Sequence, residues 1–126
     1  MKPPCVFVVG ALLPSLGVTV ARKLVRERGL KPIQAARKMS VTPAAVTQYL
    51  QGVRGGGYVD GFFEREDVKL VLNGLLEELI KEEVYYPAVV EKICGLCKML
   101  RREGLLCERC VEVSPTLKEV GCRVCR

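Results

Sequence analysis

The sequence predicts an all-α fold. Over most of the 126 residues, apolar side chains recur at spacings of three and four, which is the period of an amphipathic helix. Proline and glycine interrupt these stretches where helices commonly begin and end. Hydrophobic residues make up 49% and charged residues 27% of the chain, close to the average for globular proteins. We therefore expect one compact domain, or a small domain with a tail that oligomerises and binds metal.

The first predicted helix runs from Pro14 to Arg28. Apolar residues recur every fourth position from Leu16 to Leu24, and basic residues occupy the opposite face. Pro14 suits the first helical turn, where its missing N–H costs nothing, and Gly29 ends the helix. The apolar stretch at residues 5–9 is either an extended arm or the run-in to a helix.

Two short helices are predicted next, from Pro32 to Met39 and from Pro43 until Gly52 ends the second. A three-residue turn, Ser40 to Thr42, separates them. Thr42 is a natural N-cap, and Pro43 stands at the first helical position. Ser40 lies where such a turn usually has glycine to allow a positive φ, so we expect serine there to cost roughly 1 kcal/mol.

This spacing predicts a helix-turn-helix. Val46, Tyr49 and Leu50 would face inward, leaving an outward surface of short, uncharged side chains. That surface comprises Thr42, Pro43, Ala44, Thr47, Gln48 and Gln51. Such side chains suit a DNA major groove, because Gln can bond adenine through two groups and the methyl groups of Thr or Ala can contact thymine.

The basic residues of the N-terminal half support this interpretation. Residues 1–58 hold nine Lys or Arg and one acid, which favours contact with a polyanion. The basic flank of the two helices comprises Arg22, Lys23, Arg37, Lys38 and Arg54. Double-stranded DNA is therefore the predicted partner, and the alternative is a helical hairpin without a nucleic-acid role.

The same residues carry a resemblance to a known family. The matching segments are Pro-Cys-Val-Phe-Val-Val at 4–9, Leu-Pro-Ser-Leu at 13–16, Ala-Arg-Lys-Leu-Val at 21–25, and Gln-Ala-Ala-Arg-Lys-Met-Ser-Val-Thr-Pro-Ala-Ala-Val-Thr-Gln-Tyr-Leu-Gln-Gly-Val-Arg-Gly at 34–55. Together they resemble the archaeal helix-turn-helix transcriptional regulators related to the phage-repressor class, whose members often carry a cysteine-rich C-terminal segment. Ser40 in place of glycine is the clear departure from the family pattern.

The resemblance implies a homodimeric regulator that binds an operator. The positions that match the base-reading helix are Thr42, Pro43, Ala44, Thr47 and Gln48. By the same resemblance Arg54 contacts a phosphate.

The middle of the chain predicts a glycine-rich linker and then a long helix. Five glycines lie in residues 52–61, and an apolar stripe follows within residues 62–83. The stripe comprises Val68, Val71, Leu72, Leu75, Leu76, Leu79 and Ile80. It is wider than one small domain needs, so the helix either packs back on the first helix or forms the seam of a dimer. A further helix is predicted from Pro87 to about Leu100.

Six of the seven cysteines form three CxxC pairs. We expect Cys94, Cys97, Cys107 and Cys110 to present their thiolates from tight turns to one metal site. Such a set accepts a [4Fe–4S] or [2Fe–2S] cluster or, alternatively, Zn²⁺. Disulfides or free thiols are the remaining possibilities.

The neighbours of these four cysteines favour a cluster. Ile93, Leu96, Leu105 and Leu106 form an apolar wall that would exclude water, and nearby basic residues would offset the cluster's negative charge. The third pair, Cys122 and Cys125, joins a second site, pairs across a dimer or forms a local disulfide. The seventh cysteine, Cys5, is expected to be a buried small hydrophobe.

These observations favour a binding protein over an enzyme. Histidine is absent, which removes the commonest general acid/base, and no small-molecule substrate is indicated. We also find no signal peptide or long uncharged apolar run, so we predict a cytoplasmic protein without a membrane role.

The predicted organisation has three segments. A DNA-binding domain spans 1–58, a linker and dimerisation helix 59–86, and a cysteine-rich segment 87–126. The predicted function is a sequence-specific dimeric transcriptional regulator whose iron–sulfur cluster senses redox or iron–sulfur status. The alternatives are a regulator with a structural four-cysteine zinc site, or a thiol redox or electron-transfer protein.

Overall fold

The computed structural model describes residues 4–52 and 57–125. Within those ranges the chain forms seven α-helices, one π-helical turn and one 3₁₀ helix, with no strand, so the all-α class is confirmed. The helices are α1 (Pro4–Arg22), α2 (Pro32–Met39), α3 (Pro43–Leu50), α4 (Glu66–Leu79), α5 (Tyr86–Arg102), α6 (Cys107–Val113) and α7 (Thr116–Glu119). The π-helical turn, Lys23–Glu27, continues α1, and the 3₁₀ helix, Gly57–Glu64, precedes α4.

Helix α1 begins ten residues earlier than the sequence pattern predicts. The run of apolar residues before Pro14 has no polar face, so amphipathic periodicity does not reveal the first turns. Pro14 therefore lies inside the helix rather than at its first position. A proline there crowds the carbonyl four residues earlier, which belongs to Gly10. A Cβ built on Gly10 would meet nothing within 4 Å, so there is open space beside the helix at this residue. The helix ends as predicted at Gly29, whose φ is +71°.

Helices α2 and α3 have the bounds that the sequence predicts. Thr42 caps α3, because its Oγ1 accepts a hydrogen bond from the N–H of Ala45 at 3.1 Å. Ser40 has φ 55° and ψ 41°, the left-handed conformation expected for this turn. Among the residues that the structure describes, it is the one non-glycine residue with positive φ. Gly52, with φ +70°, follows the end of α3.

Within the described residues, helical structure begins at Gly57, inside the stretch predicted as a glycine-rich loop. Gly57–Glu64 is helical, and Phe62 and Phe63 are buried with their rings in an edge-to-face arrangement, 5.6 Å between centroids. The prediction of a loop through residue 61 is therefore wrong for this part. Aromatic burial outweighs the entropy cost of the glycines. As a result α4 begins at Glu66, four residues later than the stripe alone indicates.

The apolar stripe of α4 is covered by the chain itself. Leu72 and Leu75 are each 1% exposed, and the partner of α4 is chiefly α5. The sequence predicts that either the first helix or a second copy of the chain buries this stripe. It does not predict burial by α5. These leucines could form a dimer interface only if the chain opened, because almost all of their surface is already buried within it.

One hydrophobic core joins the three segments predicted from the sequence. Its buried members extend from Ala11 in α1 to Leu106 just before α6. Neither α6 nor α7 buries a residue, so residues 107–125 lie outside the core. None of the described helices combines the length and apolar character needed to cross a membrane.

Candidate nucleic-acid interface

The outward face of α3 is exposed along its whole length. Its members were expected to point away from the core, and each is classed as exposed: Thr42, Pro43, Ala44, Thr47, Gln48 and Gln51. On the opposite face Val46 is fully buried, while Tyr49 and Leu50 are partly buried against the core. The helix therefore divides into a packed face and a free face, as the sequence pattern predicts.

The free face consists of side chains with short reach and few charges. Thr47 directs its hydroxyl to the carbonyl of Pro43, 3.1 Å away, which leaves its methyl group outward. Within the described chain, Gln48 and Gln51 make no side-chain hydrogen bond, so their amides remain available as both donors and acceptors.

Close packing against α1 fixes the position of α3. A Cβ on Gly17 would lie 2.6 to 3.0 Å from the Tyr49 ring, nearer than real Cβ atoms come to any neighbour. The Tyr49 ring thus packs directly on the α1 backbone at Gly17, where a Cβ would force the ring to shift. Hydrophobic periodicity did not identify Gly17 as a packing residue, because glycine has no side chain that would contribute to an apolar pattern.

Three of the five basic residues predicted to flank the two helices belong to α2 or follow α3 in the sequence, and two of these, Arg37 and Lys38, differ in their surroundings. Arg37 on α2 is exposed. Lys38 is half-buried, and its Nζ donates to the carbonyl of Lys81 at 2.6 Å and to that of Glu82 at 3.4 Å. The Lys38 ammonium therefore binds the backbone of the segment that follows α4. The third residue, Arg54, lies outside the described residues.

Hydrogen bonds from Tyr86 also hold α2 against α5. The hydroxyl of Tyr86 donates to the carbonyls of Arg37 and Lys38, at 3.2 and 3.3 Å. Sequence reasoning missed the contacts of both Lys38 and Tyr86, since each joins residues more than forty positions apart and leaves no local pattern. Together they attach the end of α2 to the α4–α5 junction.

The cysteines assigned to metal binding are held on helices. Cys94 and Cys97 lie within α5, and Cys107 and Cys110 lie within α6. The expectation that these pairs sit in tight turns is therefore wrong: the surrounding leucines place them on helices, because Leu96 and Leu100 belong to the buried face of α5. No disulfide joins any of the seven cysteines.

Exposure differs among the thiols. Cys97 and Cys110 are half-buried, and burial raises the pKa of each, with neighbouring cysteines adding to the effect. Cys94 and Cys107 are exposed. Cys5, expected to be buried, is exposed as well, although it lies near enough to Cys97 and Arg101 of α5 to interact with them electrostatically.

The third pair approaches α5. The Nε of Arg101 donates to the Sγ of Cys125 at 3.3 Å, and this contact raises the pKa of Arg101. A cleft of about 210 Å³ is lined by Cys125 and by three basic residues of α5, Lys98, Arg101 and Arg102. The predicted basic environment of the cysteines is therefore present: Arg101 contacts Cys125 and also acts electrostatically on Cys97 and Cys110.

The arrangement of thiols does not fit a closed four-cysteine site. Within the described part of the chain, no three or more Cys, Asp or Glu side chains stand close enough together to hold a metal ion. The apolar wall is present, since Leu96 and Leu106 are buried, but it belongs to the general core. A cluster or zinc ion at Cys94, Cys97, Cys107 and Cys110 stays a prediction.

Comparison of the chain with protein-family models, with curated proteins and with solved structures finds no match. The resemblance to archaeal regulators is therefore still a prediction from the sequence. Any proposal of function depends on the residues of this chain alone.

Proposed function

We propose that the protein is a sequence-specific DNA-binding regulator that inserts α3 into the major groove. The observation that carries the proposal is the division of α3 into a buried face at Val46 and an exposed face of amides, hydroxyls and small side chains. In this proposal α2 and α3 form a helix-turn-helix, with Ser40 in the left-handed turn position.

The chemistry of the exposed face supports base reading. Gln48 and Gln51 carry amides that suit the N6 and N7 groups of adenine. Thr47 and Ala44 supply methyl groups for contact with thymine. The absence of charge along this face favours base edges over phosphates, since a helix that binds only the backbone uses Lys and Arg.

Phosphate contact is assigned to the flank of α3. Arg37 is exposed, with no side-chain partner in the described structure, and is available for a phosphate oxygen. Lys38 is bonded to the segment that follows α4 and acts as support rather than as a contact. Arg54, predicted from the sequence, remains in the proposal as a second phosphate contact.

We retain the dimer predicted from the sequence, but we no longer place its interface at the apolar stripe of α4. Two-fold operators are read by two recognition helices one helical turn apart, so a sequence-specific regulator of this size gains from pairing. The leucines of α4 are already used inside the chain. Sedimentation of the full chain with and without a two-fold duplex measures whether pairing occurs in solution or on DNA.

Selection of binding sites from random duplexes, followed by anisotropy titrations at several salt concentrations, tests the proposal. Gln48→Ala should lose preference at one base-pair position and bind the selected duplex ~1–3 kcal/mol more weakly. Arg37→Ala should weaken binding to selected and unrelated duplexes alike and lower the salt slope by about one.

Matched controls lie on surfaces away from α3. Asn73→Ala removes an exposed amide from α4, and Arg123→Ala removes an exposed guanidinium from the C-terminal tail. Neither should change base preference. Recovery of no preferred duplex, or equal and sequence-blind losses for Gln48→Ala and Arg37→Ala, would contradict the proposed orientation of α3.

The sensor role of the cysteines is a separate prediction. Anaerobic purification followed by iron, sulfide and zinc analysis measures the bound metal directly. A cluster gives broad visible absorption, whereas zinc gives none. Equal operator affinity of metal-loaded and metal-free protein, at one salt concentration, would remove the sensor role and leave DNA binding intact.

A further inference from the structure

A cleft of about 610 Å³ lies between the amino-terminal helices and the α4–α5 junction. Its walls come from the turn after the π-helical segment, from α2 and from the residues that join α4 to α5. Its volume falls within the range of small-molecule sites, roughly 300–1,000 Å³. Neither the sequence pattern nor the proposed DNA contact explains why the chain forms a cleft here.

Much of the wall is apolar. Leu30 contributes from one side, Ile80 and Val84 from the other, and the ring of Tyr86 stands beside them. Each of the three aliphatic side chains is half-buried at the edge of the core, so part of its surface still faces water. An apolar group placed in the cleft would remove that surface from water, which favours binding.

Some polar side chains of the cleft have a hydrogen-bond partner among the residues that the structure describes, and others have none. Lys38 and the hydroxyl of Tyr86 donate to backbone carbonyls. Gln34 accepts a hydrogen bond from the N–H of Lys31 through its Oε1. Arg37 and Glu82 line the same cleft. In the described part of the chain, neither of their side chains takes part in a hydrogen bond or an ion pair. The cleft therefore offers one free cation, one free anion and an apolar wall.

We propose that this cleft binds a zwitterionic apolar ligand: a free amino acid with an aliphatic side chain, or a short peptide of such residues with both ends free. The ligand's carboxylate would meet the Arg37 guanidinium, which suits it through paired N–H donors. Its ammonium group would meet the Glu82 carboxylate, and its side chain would lie against Leu30, Ile80 and Val84.

Ligand binding has a consequence for DNA, and this consequence rests on the proposed function. Arg37 is the residue of α2 proposed to contact a phosphate. A bound carboxylate would occupy the same guanidinium, so ligand and DNA would compete. Binding of the ligand itself needs no DNA and is measured without it, so failure of one proposal does not entail failure of the other.

Titration of the ¹⁵N-labelled full chain with four probes, followed by amide chemical shifts, tests the site. The probes are L-leucine, leucyl-leucine, N-acetyl-leucine, which lacks the ammonium group, and leucinamide, which lacks the carboxylate. Leucine or leucyl-leucine should shift the amides of Leu30 and Val84. Each blocked probe should bind at least about tenfold more weakly, since it loses one charge-assisted hydrogen bond.

Charge-removing variants assign each end of the ligand. In Arg37→Gln, leucine and leucinamide should bind equally, because the carboxylate has lost its partner. In Glu82→Gln, leucine and N-acetyl-leucine should bind equally. Both positions are exposed, and far-UV circular dichroism verifies that the variants fold. Arg123→Gln and Glu119→Gln, exposed in the C-terminal tail, serve as matched controls and should bind as the wild type does.

The two sources of ligand are separated by affinity. Tighter binding of leucine supports a free amino acid, and tighter binding of leucyl-leucine supports a peptide. Absence of cleft shifts with all probes at millimolar concentration overturns the proposal. Equal binding of zwitterionic and blocked probes overturns it as well, because the charges of Arg37 and Glu82 would then contribute nothing.

Discussion

Helices α2 and α3 and the C-terminal tail from Cys107 onward are built from similar numbers of residues but differ in how their structure is determined. The pair has caps, a left-handed turn at Ser40 and a fully buried Val46. The tail has two short helices that bury no residue, and its cysteines differ in exposure. A short segment is thus placed firmly when local signals and burial agree, and spaced cysteines alone do not supply that agreement.

The contact between α1 and α3 gives the largest expected effect. Gly17→Ala places a methyl group against the Tyr49 ring, so overpacking should destabilise the fold by about 1–3 kcal/mol. Gly10→Ala, in the same helix with open space around its Cβ, should instead stabilise it by up to about 1 kcal/mol. Urea unfolding of both variants measures the difference. Equal effects would mean that α1 and α3 do not meet at this point.

A valine in each region sharpens the comparison. Val46 is fully buried, whereas Val120 after α7 is 70% exposed. Val46→Ala should lower the free energy of unfolding by about 2 kcal/mol, because it removes apolar contacts and leaves a cavity. Val120→Ala should change it by less than about 0.5 kcal/mol. A loss at Val120 as large as at Val46 would show that the tail is packed in solution.

The left-handed turn gives a smaller effect. Ser40→Gly should raise the free energy of unfolding by about 1 kcal/mol, since glycine adopts φ 55° without a Cβ penalty. Ser114 before α7 provides the control, because its φ is −135°. Ser114→Gly should be neutral or slightly destabilising. Thermal melts of the two variants, recorded side by side, report the sign of each change.

The smallest effect concerns the start of α4. Arg65 donates to Asp67 through Nε at 3.1 Å and Nη2 at 2.7 Å, and this hydrogen bonding lowers the pKa of Asp67 in the folded protein. The contribution to stability is therefore fully present above the ordinary carboxyl pKa, about 3.9, and is lost as the pH falls through the lower folded value.

Asp67→Asn should accordingly cost a little stability near neutral pH and nothing in strong acid. Denaturant unfolding at a series of pH values measures the narrowing gap between the variant and the wild type. Glu66→Gln removes the neighbouring and more exposed carboxylate and serves as the control for loss of a charge at the same helix start. A gap for Asp67→Asn that persists unchanged in acid would show that the ionised carboxylate is not the source.

Local signals predicted the α2–α3 pair well for physical reasons. Thr42, Pro43 and Gly52 act within one turn of the backbone, so their effect is visible in a short window of sequence. The start of α1 was missed because its apolar residues have no polar face to set a period. The 3₁₀ helix was missed because burial of Phe62 and Phe63 depends on partners distant in sequence.

The candidate sites show the same division. The exposed face of α3 follows from helical periodicity once Val46 is placed in the core. The cleft beside α2 does not, since Arg37 and Glu82 are brought together only when α4 and α5 close against the amino-terminal helices. The cysteine pairs are only partly predictable from the sequence. Their spacing places the two members of a pair on one side of a helix, but it does not determine whether two helices bring their pairs together.

The sequence by itself determined the helical class, the bounds of α2 and α3, and the side chains that α3 offers to a partner, because backbone capping and amphipathic period act over a few residues. Tertiary structure alone decided that α5 covers the leucines of α4 and that Lys38 binds the backbone of the distant segment after α4. Each of those outcomes depends on which surfaces the folded chain places next to one another, and a pattern along the chain carries no record of that choice.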